Sequence, residues 1–175
     1  MRLESAYHYS LVNKEHGDGE GLNEVLIYHF KSKKSNLAYI VRVEHFDYDV
    51  YAVKFYLKNH SLSPDKYRLM TNTNEPRRVI NTCINIMIDI WQNNDIASFG
   101  FVGASGMDED SPGNTKRYRV YARMVATYFS SRYYLHKEDV DKSTYLLVNR
   151  KKLEQKPDLM ECVERMFANR YYYFE

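Results

Sequence analysis

The sequence predicts a mixed α+β domain: an antiparallel strand meander, then helix, strand, helix, strand, helix. Three observations carry this. Apolar and polar residues alternate through roughly the first 70 residues, as in strands with one wet and one dry face. From Thr73 onward the apolar spacing changes to that of a helix. Glycine and proline are scarce, at 7 and 4 of 175 residues, so few breaks interrupt regular elements.

The elements follow in order. Tyr7, Tyr9 and Leu11 share one face of a first strand, and His16-Gly17-Asp18-Gly19-Glu20-Gly21 turns the chain. Val25 to Phe30 is a second strand, closed by Lys31 to Asn36. Leu37, Tyr39, Val41 and Val43 make a third, Phe46 to Asp49 a turn, and Tyr51, Val53, Phe55 and Leu57 a fourth. Tyr67 to Met70 reads as a short fifth. Thr73 or Asn74 can cap a helix with Pro76 in its first turn, where a missing N–H costs nothing. Ile80, Cys83, Ile84, Met87 and Trp91 then keep helical spacing to Gln92, and Val79, Ile86, Ile88 and Ile90 widen the stripe until the helix needs cover on most sides. Ile96 to Val102 is a central strand, Ala104 to Gly113 a loop, and Asn114 to Phe129 a second helix. Ser143 to Asn149 is a further strand. Pro157 opens a last helix with Leu159, Val163, Met166 and Phe167 on its apolar side, and Tyr171-Tyr172-Tyr173-Phe174 is expected to dock on this chain or a dimer partner. No repeat or linker interrupts residues 1–175, which read as one domain.

Composition bounds the partners. A formal charge of +2 gives no overall pull toward nucleic acid or anionic membrane, so either would need a local patch. No run approaches the roughly 18 apolar residues of a membrane span, and Met1 to Ser5 lack a signal peptide's apolar core. The expected location is the cytoplasm. Cys83 and Cys162 stand apart in apolar segments and read as buried, reduced thiols. Seventeen tyrosines suit half-buried strand faces or a partner surface. His29 and His45 are expected to neighbour each other across strands, where they could form a metal pair, although the chain has no close-spaced histidine motif.

The candidate site begins at Gly113. From Ser111 to Leu135 there is no acid, while Lys116, Arg119 and Arg123 share one helix face and Tyr118, Tyr121, Val125 and Tyr128 another. Free N–H groups and the positive dipole end at a helix start, with Asn114, Thr115 and Arg117 beside them, can hold a phosphate or carboxylate. A solvated basic face, paired with Asp108-Glu109-Asp110, accounts for the same residues.

The strand, the loop and the helix with Asn114 and Tyr121 seven residues on resemble the C-terminal half of the GNAT-type N-acetyltransferase fold. The strand meander and the long helix at Pro76 are similar to that fold's order over about residues 36 to 130. The resemblance implies acetyl-CoA as cofactor, Asn114 near its pantetheine arm and Tyr121 as the acid that protonates the departing thiolate. It also implies a glycine-rich pyrophosphate turn leading into the long helix. Here that stretch is Thr71-Asn72-Thr73-Asn74-Glu75-Pro76-Arg77-Arg78, without glycine, and Arg77 and Arg78 could supply positive charge instead. The Thr-Lys-Arg-Tyr-Arg-Val-Tyr start of the second helix also resembles small uncharacterised bacterial domain families, which carry no activity over.

Two functions are therefore expected. One is a non-catalytic, GNAT-like binding module, of the size and type found in toxin–antitoxin, phage or defence loci, for a protein partner or homodimer, with nucleic acid less supported. The other is a divergent acyl-CoA-dependent N-acyltransferase. The acyltransferase requires two central parallel strands that splay apart beside residues 71 to 78.

Overall fold

The computed structural model describes residues 2–68, 74–102 and 113–170. Strands β1 (Tyr9–His16), β2 (Leu22–Lys31), β3 (Ala38–Phe46) and β4 (Val50–Leu57) form an antiparallel meander. Helix α1 (Pro76–Asn93) leads to β5 (Ser98–Val102), and α2 (Lys116–Tyr128) leads to β6 (Tyr134–Asp139) and β7 (Thr144–Asn149). Helices α3 (Arg150–Gln155) and α4 (Leu159–Arg170) follow. All seven strands join one sheet in the order β1-β2-β3-β4-β5-β7-β6, in which only β4 and β5 run parallel.

Two cores sandwich the sheet. On one face Tyr39, Val41, Val43 and Phe99 pack against Ile84, Met87 and Val125 of α1 and α2. On the other, Phe46, Val50, Leu146 and Val148 pack against Leu159, Val163 and Phe167 of α4. The period-two alternation arises here: odd positions of β3 face α1, while Phe46 faces α4. The tyrosines fill this interior. Tyr39 is fully buried and stacks on its cross-strand partner Phe30 at 4.9 Å. Tyr134 is also fully buried, and its hydroxyl donates to the Ala97 carbonyl at 3.0 Å.

Several expectations need correction. Tyr67 and Arg68 lie in a turn, not a fifth strand, and Leu69 to Met70 fall outside the described residues. Strand β6 was not expected, because Lys137, Glu138 and Asp139 break the apolar alternation on a sheet edge that faces water. Helix α3 is six residues long, started by the Asn149 side chain accepting from the N–H groups of Lys151 and Lys152. His29 pairs with Ile40 and His45 with Glu24, so these histidines sit five residues apart along the β2–β3 ladder. The C-terminal Tyr171 to Phe174 also lie outside the described residues. Among the described residues no helix is long and apolar enough to cross a membrane.

The free edge at β1 is irregular. Its register slips between Leu11 and Asn13, which leaves Val12 as a bulge, and Lys14 follows. Both devices discourage pairing with another sheet edge.

Cys83 is buried and Cys162 half-buried, and both are free thiols. Burial pushes the Cys83 thiol up to about 12. Because the thiolate is the reactive form, a disulfide reagent is expected to modify Cys162 in the folded protein and Cys83 only after denaturation. Fast labelling of both thiols in native buffer would contradict this placement of α1.

Candidate functional site

The site lies at the carboxyl end of the one parallel strand pair. β4 and β5 pair over three rows only, Val50 with Ser98, Tyr51 with Phe99 and Ala52 with Gly100. Beyond Ala52 the ladder stops, and Val53, Phe55 and Phe101 line a cleft that α1 and α2 close with Ile80, Cys83 and Met87, and with Tyr121 and Val125. Open parallel strand pairs tend to bind ligands at their carboxyl ends. The cleft is apolar and holds about 40 Å3, which is room for at most about three water-sized groups.

Tyr121 is half-buried in this cleft, with its ring 5.8 Å from Phe55 and 5.5 Å from Phe101. Burial drives its phenol well above the usual range, and the charge of Arg117 only partly offsets this. Among the described residues its hydroxyl makes no hydrogen bond. Tyr121→Phe is therefore expected to leave the melting temperature unchanged or raise it, by up to about 1 kcal/mol of stability, because it removes a poorly solvated hydroxyl. A clear loss of stability would reveal a hydrogen bond on that oxygen.

The start of α2 is built as a cap. Thr115 is fully buried. Its Oγ1 accepts from the Tyr118 N–H at 3.1 Å, and its own N–H donates to Ser143 Oγ at 3.0 Å. The Thr115 hydroxyl thus does helix work. Asn114 is exposed at φ 47°, a left-handed conformation that asparagine tolerates. Its N–H donates to the Val140 carbonyl at 2.6 Å. Gly113 is required beside it, since a Cβ there would sit 2.7 Å from the Asp141 carbonyl oxygen. On α2, Lys116, Arg119 and Arg123 are exposed on one face, and Arg119 donates to the Asn114 carbonyl. Tyr118 and Val125 are buried on the other, where the Tyr118 hydroxyl donates to Glu138 at 2.6 Å. Arg117 is half-buried. The acidic stretch Asp108 to Asp110 lies outside the described residues.

At the start of α1, Arg77 and Arg78 are exposed, and the Arg78 guanidinium stacks 4.4 Å over the Tyr7 ring. Sequence reasoning missed the residue before them. Glu75 is the N-cap of α1 and is 7% exposed. It accepts a hydrogen bond from the Tyr7 hydroxyl, while its Oε1 is buried with no partner among the described residues. Only its position just before Pro76 signalled this, since an acid at a helix start is ordinary. Residues 69–73 lie outside the described set; among the described residues Tyr121 lines the cleft, while Arg77, Arg78, Asn114, Thr115, Arg117, Arg119 and Arg123 do not.

A second, polar cleft of about 240 Å3 lies between β6, β7 and α4. Its charges are engaged internally: Lys137 pairs with Glu164, Glu138 holds Tyr118, and Asp139 accepts from the Lys142 N–H at 3.1 Å. Among the described residues no group of three or more histidine, cysteine, aspartate or glutamate side chains is arranged to hold a metal ion. Comparison with protein-family models, curated proteins and solved structures returns no match for this chain.

Proposed function

We propose that the chain is a GNAT-like scaffold acting as a non-catalytic binding module. Support for the scaffold comes from its connections. A meander ends in β4, α1 crosses to a parallel β5, α2 crosses to β6, and β7 inserts between β5 and β6. The early end of β4–β5 pairing adds the splay that the resemblance implies.

Glu75 is the observation that favours a module over an enzyme. The resemblance puts a pyrophosphate at the start of α1. A buried carboxylate stands there, followed by Pro76, which has no N–H to donate. Negative charge and a missing donor make a poor cradle for phosphate. The 40 Å3 cleft is also far too small for a pantetheine arm unless the strands part. The module would use the exposed face of α2 that carries Arg119 and Arg123, turned to a protein partner or a second copy. Arginine there can anchor an interface. Nucleic acid has less support, because the chain carries only +2 overall and one basic helix.

The acyltransferase reading is kept by a single observation, that Tyr121 lines the cleft where β4 and β5 part. A phenol raised by burial is a weaker acid, which lowers its ability to protonate a thiolate.

Thermal unfolding with and without millimolar acetyl-CoA or CoA separates the two. A ligand at 100 times its Kd adds about 2.7 kcal/mol to the folded state. The module reading expects no shift, and also expects Arg119→Glu with Arg123→Glu to lose a captured partner while melting as the wild type does. A shift that disappears in Asn114→Ala or Arg77→Ala would put the acyltransferase first.

A further inference from the structure

Residues 2–7 form an arm ahead of β1 that lies along a flank of α1, and successive turns of the helix hold it. The Arg2 guanidinium pairs with Asp89 at 2.7 Å. Asn85 takes both main-chain groups of one residue: its Oδ1 accepts the Leu3 N–H at 2.8 Å and its Nδ2 donates to the Leu3 carbonyl at 3.0 Å. Asn81 donates to the Ser5 carbonyl at 2.8 Å, and Thr82 Oγ1 accepts the Tyr7 N–H at 2.8 Å. The Tyr7 hydroxyl then reaches Glu75. The arm thus runs antiparallel to the helix, with a bend at Glu4 to Ala6.

Two features distinguish this contact from ordinary core. First, the helix residues that meet the arm are polar yet buried: Asn81, Thr82 and Asn85 are at most 5% exposed. Apolar side chains would fill a permanent internal contact without the cost of desolvating amides. Amide and hydroxyl groups that pair with main-chain N–H and C=O are what a helix needs to hold a peptide whose backbone arrives unpaired. The arm contributes two apolar anchors, Leu3 and Tyr7, both packed on the main core. Backbone pairing plus a few side-chain anchors is the way grooves bind peptides. Second, the closed arm leaves Glu75 Oε1 buried and unpaired among the described residues. That cost is relieved when the arm opens and water reaches the carboxylate.

We infer that this flank of α1 is a peptide-binding groove, occupied in cis by the chain's own residues 2–7. It fits an extended peptide that carries a basic residue, an apolar residue directly after it and a tyrosine four residues further on, the pattern of Arg2, Leu3 and Tyr7. The arm is an internal competitor. Only His8 separates it from β1, so its effective concentration is on the order of millimolar, and a free peptide gains access only when the arm is weakened. This inference is independent of the GNAT-like reading and of any result with acetyl-CoA.

The test is fluorescence anisotropy of a labelled peptide of residues 1–9 with the full-length protein. The Tyr7→Ala variant, whose arm has lost its larger anchor, is expected to bind the peptide at least about tenfold more tightly than the wild type. Adding Asn85→Leu to that variant is expected to remove at least about tenfold of the gain, and a scrambled peptide is expected not to bind. Hydrogen exchange at the Leu3 and residue-7 amides reports whether the arm has opened, and a cooperative melt reports whether the fold persists. Should Tyr7→Ala fail to fold, Leu3→Asp opens the arm instead. No binding to a folded variant whose arm amides exchange freely overturns the inference, and so does an arm that stays protected in both variants.

Discussion

Phe99→Ala is expected to destabilise the protein by about 3–5 kcal/mol and to lower its melting temperature by on the order of 10 °C for a chain of this size. Phe99 is 1% exposed and sits on β5, the strand between the meander and the β6–β7 hairpin. Its ring lies 5.9 Å from Tyr51, 6.0 Å from Phe129 and 6.2 Å from Tyr134, so one side chain ties β4, β6 and the end of α2 together. Truncation leaves a cavity among residues on three separate elements. These cannot collapse together, because each is also fixed by its own ladder or helix bonds. Differential scanning calorimetry of the variant checks this. A loss near 1 kcal/mol would mean that the surrounding rings relax into the space, and that the parallel pair is less rigid than its packing implies.

Gly17→Ala is expected to cost about 3 kcal/mol or more, at the upper end for overpacked sites. The new Cβ would stand 1.8 Å from the Leu22 carbonyl oxygen and 2.4 Å from its carbon. No side chain can move aside, since the obstacle is backbone. The Gly17 N–H also donates to the Asn23 carbonyl at 3.0 Å, and that bond closes the β1–β2 hairpin. The chain must open this end, and β1 loosens on its outer edge, where β2 is its only strand partner. Hydrogen exchange should therefore rise first at the His16 end of β1, before the rest of the sheet. Uniform exchange across β1 to β4 would instead place the hairpin in one cooperative unit with the sheet.

Much of the fold is legible because the signals are local. The alternation at Tyr39, Val41 and Val43 marks β3 and its buried face. Pro76 marks the start of α1. The helix starts are displaced: the N-cap position of α1 falls on Glu75, whose side chain makes no capping bond, rather than on Thr73 or Asn74, and Thr115 caps α2, one residue after Asn114. At α2, Asn114 and Thr115 can each supply a capping oxygen, and only the path of the incoming loop selects between them. On α2, helical spacing sets the exposed Arg119 and Arg123 apart from the buried Tyr118 and Val125.

Strand β6 and the arm were not legible, for two different reasons. In β6 the side facing solvent carries charge, so Tyr134 and Leu135 offer too short an apolar run to be read as a strand. In the arm, the partners are far apart in sequence. Tyr7 and Glu75 are separated by 68 residues, and Leu3 and Asn85 by 82. Asn81, Thr82 and Asn85 within an apolar helix look like interruptions until the arm that pairs with them is in place.

Periodicity along one stretch of chain marks most of the strands and helices and their dry faces, with β6 and the short α3 as the exceptions. It also shows that α1 must be covered on most sides. What covers α1, which strands run parallel, where β7 inserts and the buried carboxylate at the start of α1 emerge only once the chain is folded. Those outcomes depend on pairings between distant residues, whose energies are set by three-dimensional proximity and leave no periodic trace in the chain.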